Sequence, residues 1–93
     1  MLYSQYLTAN GAIEAAGVPV RVYSIHVISG AAAGVTSLRN GSSVGATAFV
    51  TETGTALAGK TTIFGEGTHF PAGCFVSLDS GNTTSILVSY SRV

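Results

Sequence analysis

Charged side chains are scarce in this chain. Four Lys and Arg and four Asp and Glu among 93 residues amount to 9%, and they cancel to a formal charge of zero. An average soluble domain carries roughly 25%. Neutralising even ~6 phosphates would take more basic groups than exist here, so a nucleic-acid binder is excluded. A single cysteine, Cys74, leaves the fold without an internal disulfide. Tryptophan is absent, which removes the aromatic best suited to stacking on a pyranose ring. No apolar run approaches the ~20 residues of a membrane helix. The start Met1-Leu2-Tyr3-Ser4-Gln5 has no basic n-region, so no cleaved signal peptide is expected.

What is present is apolar. Hydrophobic residues make up 46% and the mean hydropathy is +0.46, well above the disordered range. A chain of this length buries only about 60–65% of its unfolded surface. With a net charge of zero, no like-charge repulsion keeps copies apart in solution. The expectation is one domain over residues 1–93 that works as an oligomer or as a subunit of a larger assembly. A dilute monomer is expected to unfold or aggregate through exposed strand edges and apolar faces.

The apolar period is two almost throughout, which predicts strands. Val18, Val20, Val22 and Ser24 open the longest one, which runs on to Ile28. Apolar residues on both faces of its second half (Ile25 and Val27 against Ile28) predict a strand covered on both sides. Val35 to Arg39 is a short strand closed by Asn40-Gly41, a hairpin signal. Ala46 to Glu52 and Lys60 to Phe64 are two more, and Gly65-Glu66-Gly67 reads as a turn. Pro71-Ala72-Gly73 leads into Cys74 to Leu78, Asp79 to Asn82 is a turn cluster, and Thr83 to Arg92 is the last strand. Ala12 to Ala16 is too short for a helix. Residues 1–17 are either an extended arm or a first strand.

This pattern predicts an all-β fold, a small antiparallel β-sandwich of six to eight short strands, jelly-roll-like or immunoglobulin-like. The expected inward set is Val20, Val22, Ile25, Val27, Leu38, Phe49, Ile63, Phe75, Val76, Ile86, Val88 and Tyr90.

Several motifs imitate chemistry. Gly54-Thr55-Ala56-Leu57-Ala58-Gly59-Lys60-Thr61 fits the P-loop pattern at every position, and Cys74 to Asp79 reads as a strand ending in a Mg²⁺-holding Asp. A P-loop needs a helix after its lysine to cradle phosphates. Here β-branched Thr61-Thr62-Ile63 follows and glycines stop it, so a loop with a solvated lysine is expected. Glu66 and His69 have helical metal-ligand spacing, but strand geometry separates such a pair. His26 reads as a core or interface histidine, and Cys74 as a small hydrophobe. Asn82-Thr83-Thr84 is a glycosylation sequon by pattern only. The four carboxylates are scattered. The expectation is no enzyme, no catalytic residue, no metal and no cofactor.

The order of segments carries a resemblance. Arg21-Val22-Tyr23-Ser24-Ile25-His26-Val27-Ile28-Ser29-Gly30 leads to Val35-Thr36-Ser37-Leu38-Arg39-Asn40-Gly41. Later come Phe64-Gly65-Glu66-Gly67-Thr68-His69-Phe70-Pro71-Ala72-Gly73-Cys74-Phe75-Val76 and Ile86-Leu87-Val88-Ser89-Tyr90. From Arg21 onward this resembles the small all-β structural proteins of tailed bacteriophages, notably marine ones. The resemblance implies a virion component present in many copies, with no enzymatic residues to carry over.

The expected function is therefore a capsid decoration (cement) protein on the head exterior. Its expected partners are itself, as a homotrimer, and the major capsid protein, with no nucleic acid, membrane or small-molecule substrate. A tail-associated module and a carbohydrate-binding module are the alternatives. Tyr3, Tyr6, Tyr23 and Tyr90 are the candidate interface anchors, because aromatic groups with a polar tip are enriched at interfaces. For Tyr23 and Tyr90 a plain core role is the competing assignment.

Overall fold

A computed structural model of the chain describes residues 2–30, 34–54, 57–78 and 83–93, with the side chains of 83 and 84 left aside. Its elements are β1 (Tyr3–Leu7), β2 (Gly11–Ala12), β3 (Val20–Ser29), β4 (Val35–Asn40), β5 (Thr47–Thr53), β6 (Gly59–Phe70), β7 (Cys74–Leu78) and β8 (Thr83–Arg92). The chain pairs as if folded in half: β1 with β8, β2 with β7, β3 with β6 and β4 with β5, all antiparallel. Rolling that long hairpin brings β8 against β3 and β7 against β4. Two four-stranded sheets result, in the orders β1-β8-β3-β6 and β2-β7-β4-β5. This is the jelly-roll arrangement of a β-sandwich, so of the two expected sandwich types the jelly roll is the one formed.

Of the two expectations for residues 1–17, the described residues 2–17 form a first strand and not an arm. They supply β1 and β2, one edge strand to each sheet. The radius of gyration is 11.9 Å, close to the ~12 Å of a compact chain this long.

Most of the expected inward residues are buried between the sheets: Val20, Val22, Ile25, Val27, Leu38, Val76, Ile86, Val88 and Tyr90. Strict alternation would not bury both Val22 and Ile25. A β-bulge at Tyr23, where Val22 faces Tyr90 and Ser24 faces Ser89, shifts the inward parity of β3 from even to odd positions. The same shift overturns the expectation that the second half of β3 is covered on both faces: Ile28 is exposed and His26 half-buried.

Three inward expectations fail. Ile63 is 75% exposed, because it stands opposite Ser24 on the outer side of its sheet, while Phe64 packs against the core. Phe49 is the unpaired residue of a bulge in β5, between Val50 opposite Leu38 and Ala48 opposite Arg39; its ring lies against Phe70 but stays 46% exposed. Phe75 is half-buried on the strand face opposite to Cys74 and Val76. Three residues outside the expected set complete the core: Ile13, Phe70 and Cys74, all fully buried.

Gly65-Glu66-Gly67 does not end its strand. Four residues, 64–67, oppose only Tyr23 of β3, and pairing resumes at Thr68 with Val22, so β6 runs on to Phe70 across a wide bulge. Gly65 (φ 61°) and Gly67 (φ 93°) supply the backbone conformations this excursion needs. Asn40-Gly41 does begin a hairpin connection, but its loop spans residues 41–46 between Asn40 and Thr47. The Asn40 side chain is used elsewhere: its Oδ1 accepts a hydrogen bond from the Ala72 N–H at 2.9 Å. Asp79 and Asn82, with the sequon, lie outside the described residues.

Candidate interaction surface

The residues that imitate catalytic motifs are held apart or engaged structurally. Lys60 and Thr61 lie on β6 with no helix after them, so the element that a phosphate cradle requires does not follow the glycine-rich segment. Lys60 is not simply solvated: its Nζ sits 3.0 Å from the Glu52 carboxylate. That ion pair spans the open side of the sandwich, from the β5 edge of one sheet to the β6 edge of the other. Glu66 and His69 are both exposed at the β6 edge. Burial pushes the Cys74 thiol up to about 12, which keeps it protonated and inert as a nucleophile. The Ser29 hydroxyl is buried without a hydrogen-bond partner, and Gly54 is packed against it so closely that a Cβ there would lie 2.0 Å away. Among the described residues no cluster of three or more metal-binding side chains occurs.

The tyrosines divide by strand parity. Tyr90 faces inward on β8 at 5% exposure, so it offers almost nothing to a partner and is a core residue. Tyr3 stands opposite it on β1, the rings 5.7 Å apart. Tyr23 occupies the β3 bulge, half-buried, where its hydroxyl accepts a hydrogen bond from Ser91 Oγ at 3.3 Å. Of the four anchor candidates only Tyr6, on the outer side of β1, is freely exposed.

Tyr3 and Tyr90 belong to a polar cluster where the two ends of the chain meet. Arg92 Nε contacts Glu14 Oε1 at 2.5 Å, and the guanidinium lies 4.4 Å from the centre of the Tyr3 ring. Nearby, Gln5 clamps the turn after β2: its Nε2 donates to the Ala12 carbonyl at 3.0 Å and its Oε1 accepts from the Glu14 N–H at 2.9 Å. These contacts hold Glu14 at φ 66°, a conformation that costs a non-glycine residue roughly 1–2 kcal/mol. Hydrogen bonding from Arg92 lowers the Glu14 carboxyl below its usual value, with a smaller contribution from Tyr90. A folded pKa below the unfolded one stabilises above the unfolded pKa and ceases to do so as pH falls through the folded value. Glu14→Gln is therefore expected to be less stable than the native chain at pH 7, with the gap closing as the pH falls below the usual carboxylate range. Urea melts at stepped pH, in low and high salt, measure this gap, and salt should narrow it because the pair is exposed.

The outer side of the β1-β8-β3-β6 sheet is different in kind. Cross-strand register sets its residues in rows. One row is Ser4, Ser89, Ser24 and Ile63; the next is Tyr6, Leu87, His26 and Thr61; the third is Ser85, Ile28 and Gly59, of which Ser85 is buried at 1% exposure. None of these side chains carries a fixed charge. His26 Nδ1 is 2.7 Å from Thr61 Oγ1, and its ring overlies Gly59, where a Cβ would come within 2.8 Å of Nε2. Before the β3 bulge the same outer side carries Arg21, opposite Ser91 and His69; the opposite sheet carries Arg39, bonded to Ser77 Oγ at 3.1 Å and to the Ala46 carbonyl at 3.0 Å. The signal for the uncharged rows was present in the sequence, in Ser85, Leu87 and Ser89 of β8. The partner strands that complete the rows were not. Comparison with protein-family models, curated proteins and solved structures finds no match to this chain.

Proposed function

We propose that this chain is a virion structural subunit, a decoration protein that binds the outside of a tailed-phage head in many copies and stabilises it through repeated protein contacts. The observation that carries the reading is the jelly-roll strand order, 1-8-3-6 over 2-7-4-5, an architecture widely used in capsid domains. The order of segments from Arg21 onward supports it, as does the charge-poor surface, since interface centres are depleted in Lys, Glu and Asp. In this reading the chain sits at local threefold positions as trimers and touches the major capsid protein.

The fold alone does not assign a role, so the test is direct. Purified chain is mixed with expanded empty heads from the same phage. Saturable binding and greater resistance of the heads to heat or low salt are the expected results. Failure to bind, or binding without protection, overturns the proposal. Copy number in the intact particle separates this role from a tail module, which would be present in far fewer copies than the head sites.

A further inference from the structure

Two Asn-Gly pairs occur in the chain, Asn10-Gly11 and Asn40-Gly41. The fold gives both carboxamides the same task, bracing one end each of β7. Asn40 Oδ1 accepts from the Ala72 N–H at 2.9 Å, just before β7 begins, and Asn10 Oδ1 accepts from the Leu78 N–H at 2.7 Å, where it ends. Asn-Gly is also the sequence most open to spontaneous deamidation, because glycine has no Cβ to keep its backbone nitrogen away from the asparagine side chain. That nitrogen attacks the side-chain carbonyl carbon, its proton leaves with the amide group as ammonia, and a succinimide ring closes. Water then opens either of two ring C–N bonds, giving aspartate or isoaspartate. The net exchange is amide plus water for acid plus ammonia, and nothing is oxidised or reduced.

Ring closure requires the side chain to leave its backbone donor and the glycine to turn, so its rate depends on how each pair is held. Asn40 is half-buried and paired on both sides, with Thr47 of β5 and Cys74 of β7. The Gly41 nitrogen is engaged as well, its N–H donating to the Gly73 carbonyl at 2.9 Å. Freeing this pair means parting the end of β4 from two strands. Asn10 is held far more lightly. It ends the connection 8–10, whose residues are all exposed, and its glycine belongs to a two-residue edge strand with β7 as its one neighbour in the sheet. Short exposed edges open locally at small free-energy cost.

We propose that Asn10 is a self-modification site of the folded chain, converting to aspartate and isoaspartate, while the fold holds Asn40 unreacted in the same dipeptide. The inference does not rest on the virion reading. The two products act differently on β2. Aspartate keeps an oxygen acceptor for the Leu78 N–H. Isoaspartate adds a backbone carbon immediately before Gly11 and so disturbs the register that sets Gly11 opposite Val76 and the Ile13 N–H on the Cys74 carbonyl at 2.8 Å. Ile13 is fully buried, so loosening β2 draws on the core. Either product adds one negative charge to a chain of formal charge zero.

The test is to age the full chain at mildly alkaline pH, folded and in guanidinium chloride, and to map the acid formed by trypsin digestion and mass spectrometry. Cleavage after Arg21, Arg39 and Lys60 puts the two pairs in separate peptides, 1–21 and 40–60. In the folded chain Asn10 should convert at least about tenfold faster than Asn40, the factor carried by each ~1.4 kcal/mol of extra opening free energy. In denaturant the two should convert at similar rates. Gly11→Ala should keep the fold, because its φ lies outside the left-handed region and an added Cβ meets only Leu7 Cδ2 at 3.6 Å, yet slow conversion at Asn10 severalfold. The separated isoaspartyl form should melt earlier in urea than Asn10→Asp. No conversion at Asn10, equal rates at the two sites in the folded chain, or the same rate ratio in denaturant overturns the proposal. An isoaspartyl form that melts together with Asn10→Asp overturns its effect on β2.

Discussion

Phe70→Ala is expected to lower the unfolding free energy by about 3–5 kcal/mol, the usual range for emptying a fully buried phenylalanine site. A domain of this size has only roughly 5–14 kcal/mol in all, so the loss is a large share of its stability. Phe70 is the last residue of β6, is fully buried, and lies with its ring centre 5.4 Å from that of Phe49. It fills the end of the sandwich where β6 turns into β7. Its loss would also free Phe49, whose bulge position gives the ring no other recorded aromatic partner among the described residues. Urea unfolding monitored by circular dichroism should show a lower midpoint with an unchanged slope. Ile63→Ala is the control, since at 75% exposure it should cost under about 0.5 kcal/mol. Equal losses at the two positions would mean that β6 is registered one residue away from the pairing described.

Gly73→Ala is expected to cost about 2–4 kcal/mol, adding steric contact to the roughly 1–3 kcal/mol of a disfavoured backbone conformation. Gly73 closes the turn between β6 and β7: its N–H donates to the Phe70 carbonyl at 3.1 Å and its carbonyl accepts from Gly41 at 2.9 Å. Pro71 sits at the second position of that turn, where its fixed φ is favourable. Gly73 itself has φ 95°, and a Cβ there would stand 3.0–3.1 Å from the N, Cα and C atoms of Gly17. Those are backbone atoms of the loop entering β3, so relief requires moving a chain segment and not a side-chain tip. Gly17→Ala provides the comparison. Its φ is 79°, but nothing lies within 4 Å of its added Cβ, so only the conformational cost of about 1–2 kcal/mol applies. If both variants lost the same stability by thermal or urea melts, the close approach of the two loops would be refuted.

Phe70 is not legible as a core residue because Gly65-Glu66-Gly67 looks like a turn, which ends the alternation five residues before Phe70 is reached. The wide bulge at 64–67 instead lets β6 resume, and Thr68 and Phe70 regain their places opposite Val22 and Val20. Ile13 is not legible either, because its segment, between Gly11 and Gly17, has no period. It is buried by the backbone bond of its N–H to the Cys74 carbonyl at 2.8 Å, a partner distant in sequence. The candidate anchors divide for the same reason: Tyr6 and Tyr3 are separated by strand parity, but Tyr90 and Tyr23 by a bulge that only the pairing of β3 with β8 creates.

The amino-acid order by itself determined the all-β class, the faces of β8 and the strand after Gly59-Lys60 that denies the glycine-rich segment its helix. Each follows from local alternation and side-chain type, which act within a few residues. Tertiary structure alone decided the jelly-roll strand order, the inward parity of β3, β5 and β6, and the assembly of Tyr6, Leu87, His26 and Thr61 into one uncharged row. The physical reason is that alternation carries a side chain's facing only as far as the next bulge. Where a bulge forms depends on hydrogen bonding to strands that lie far away along the chain.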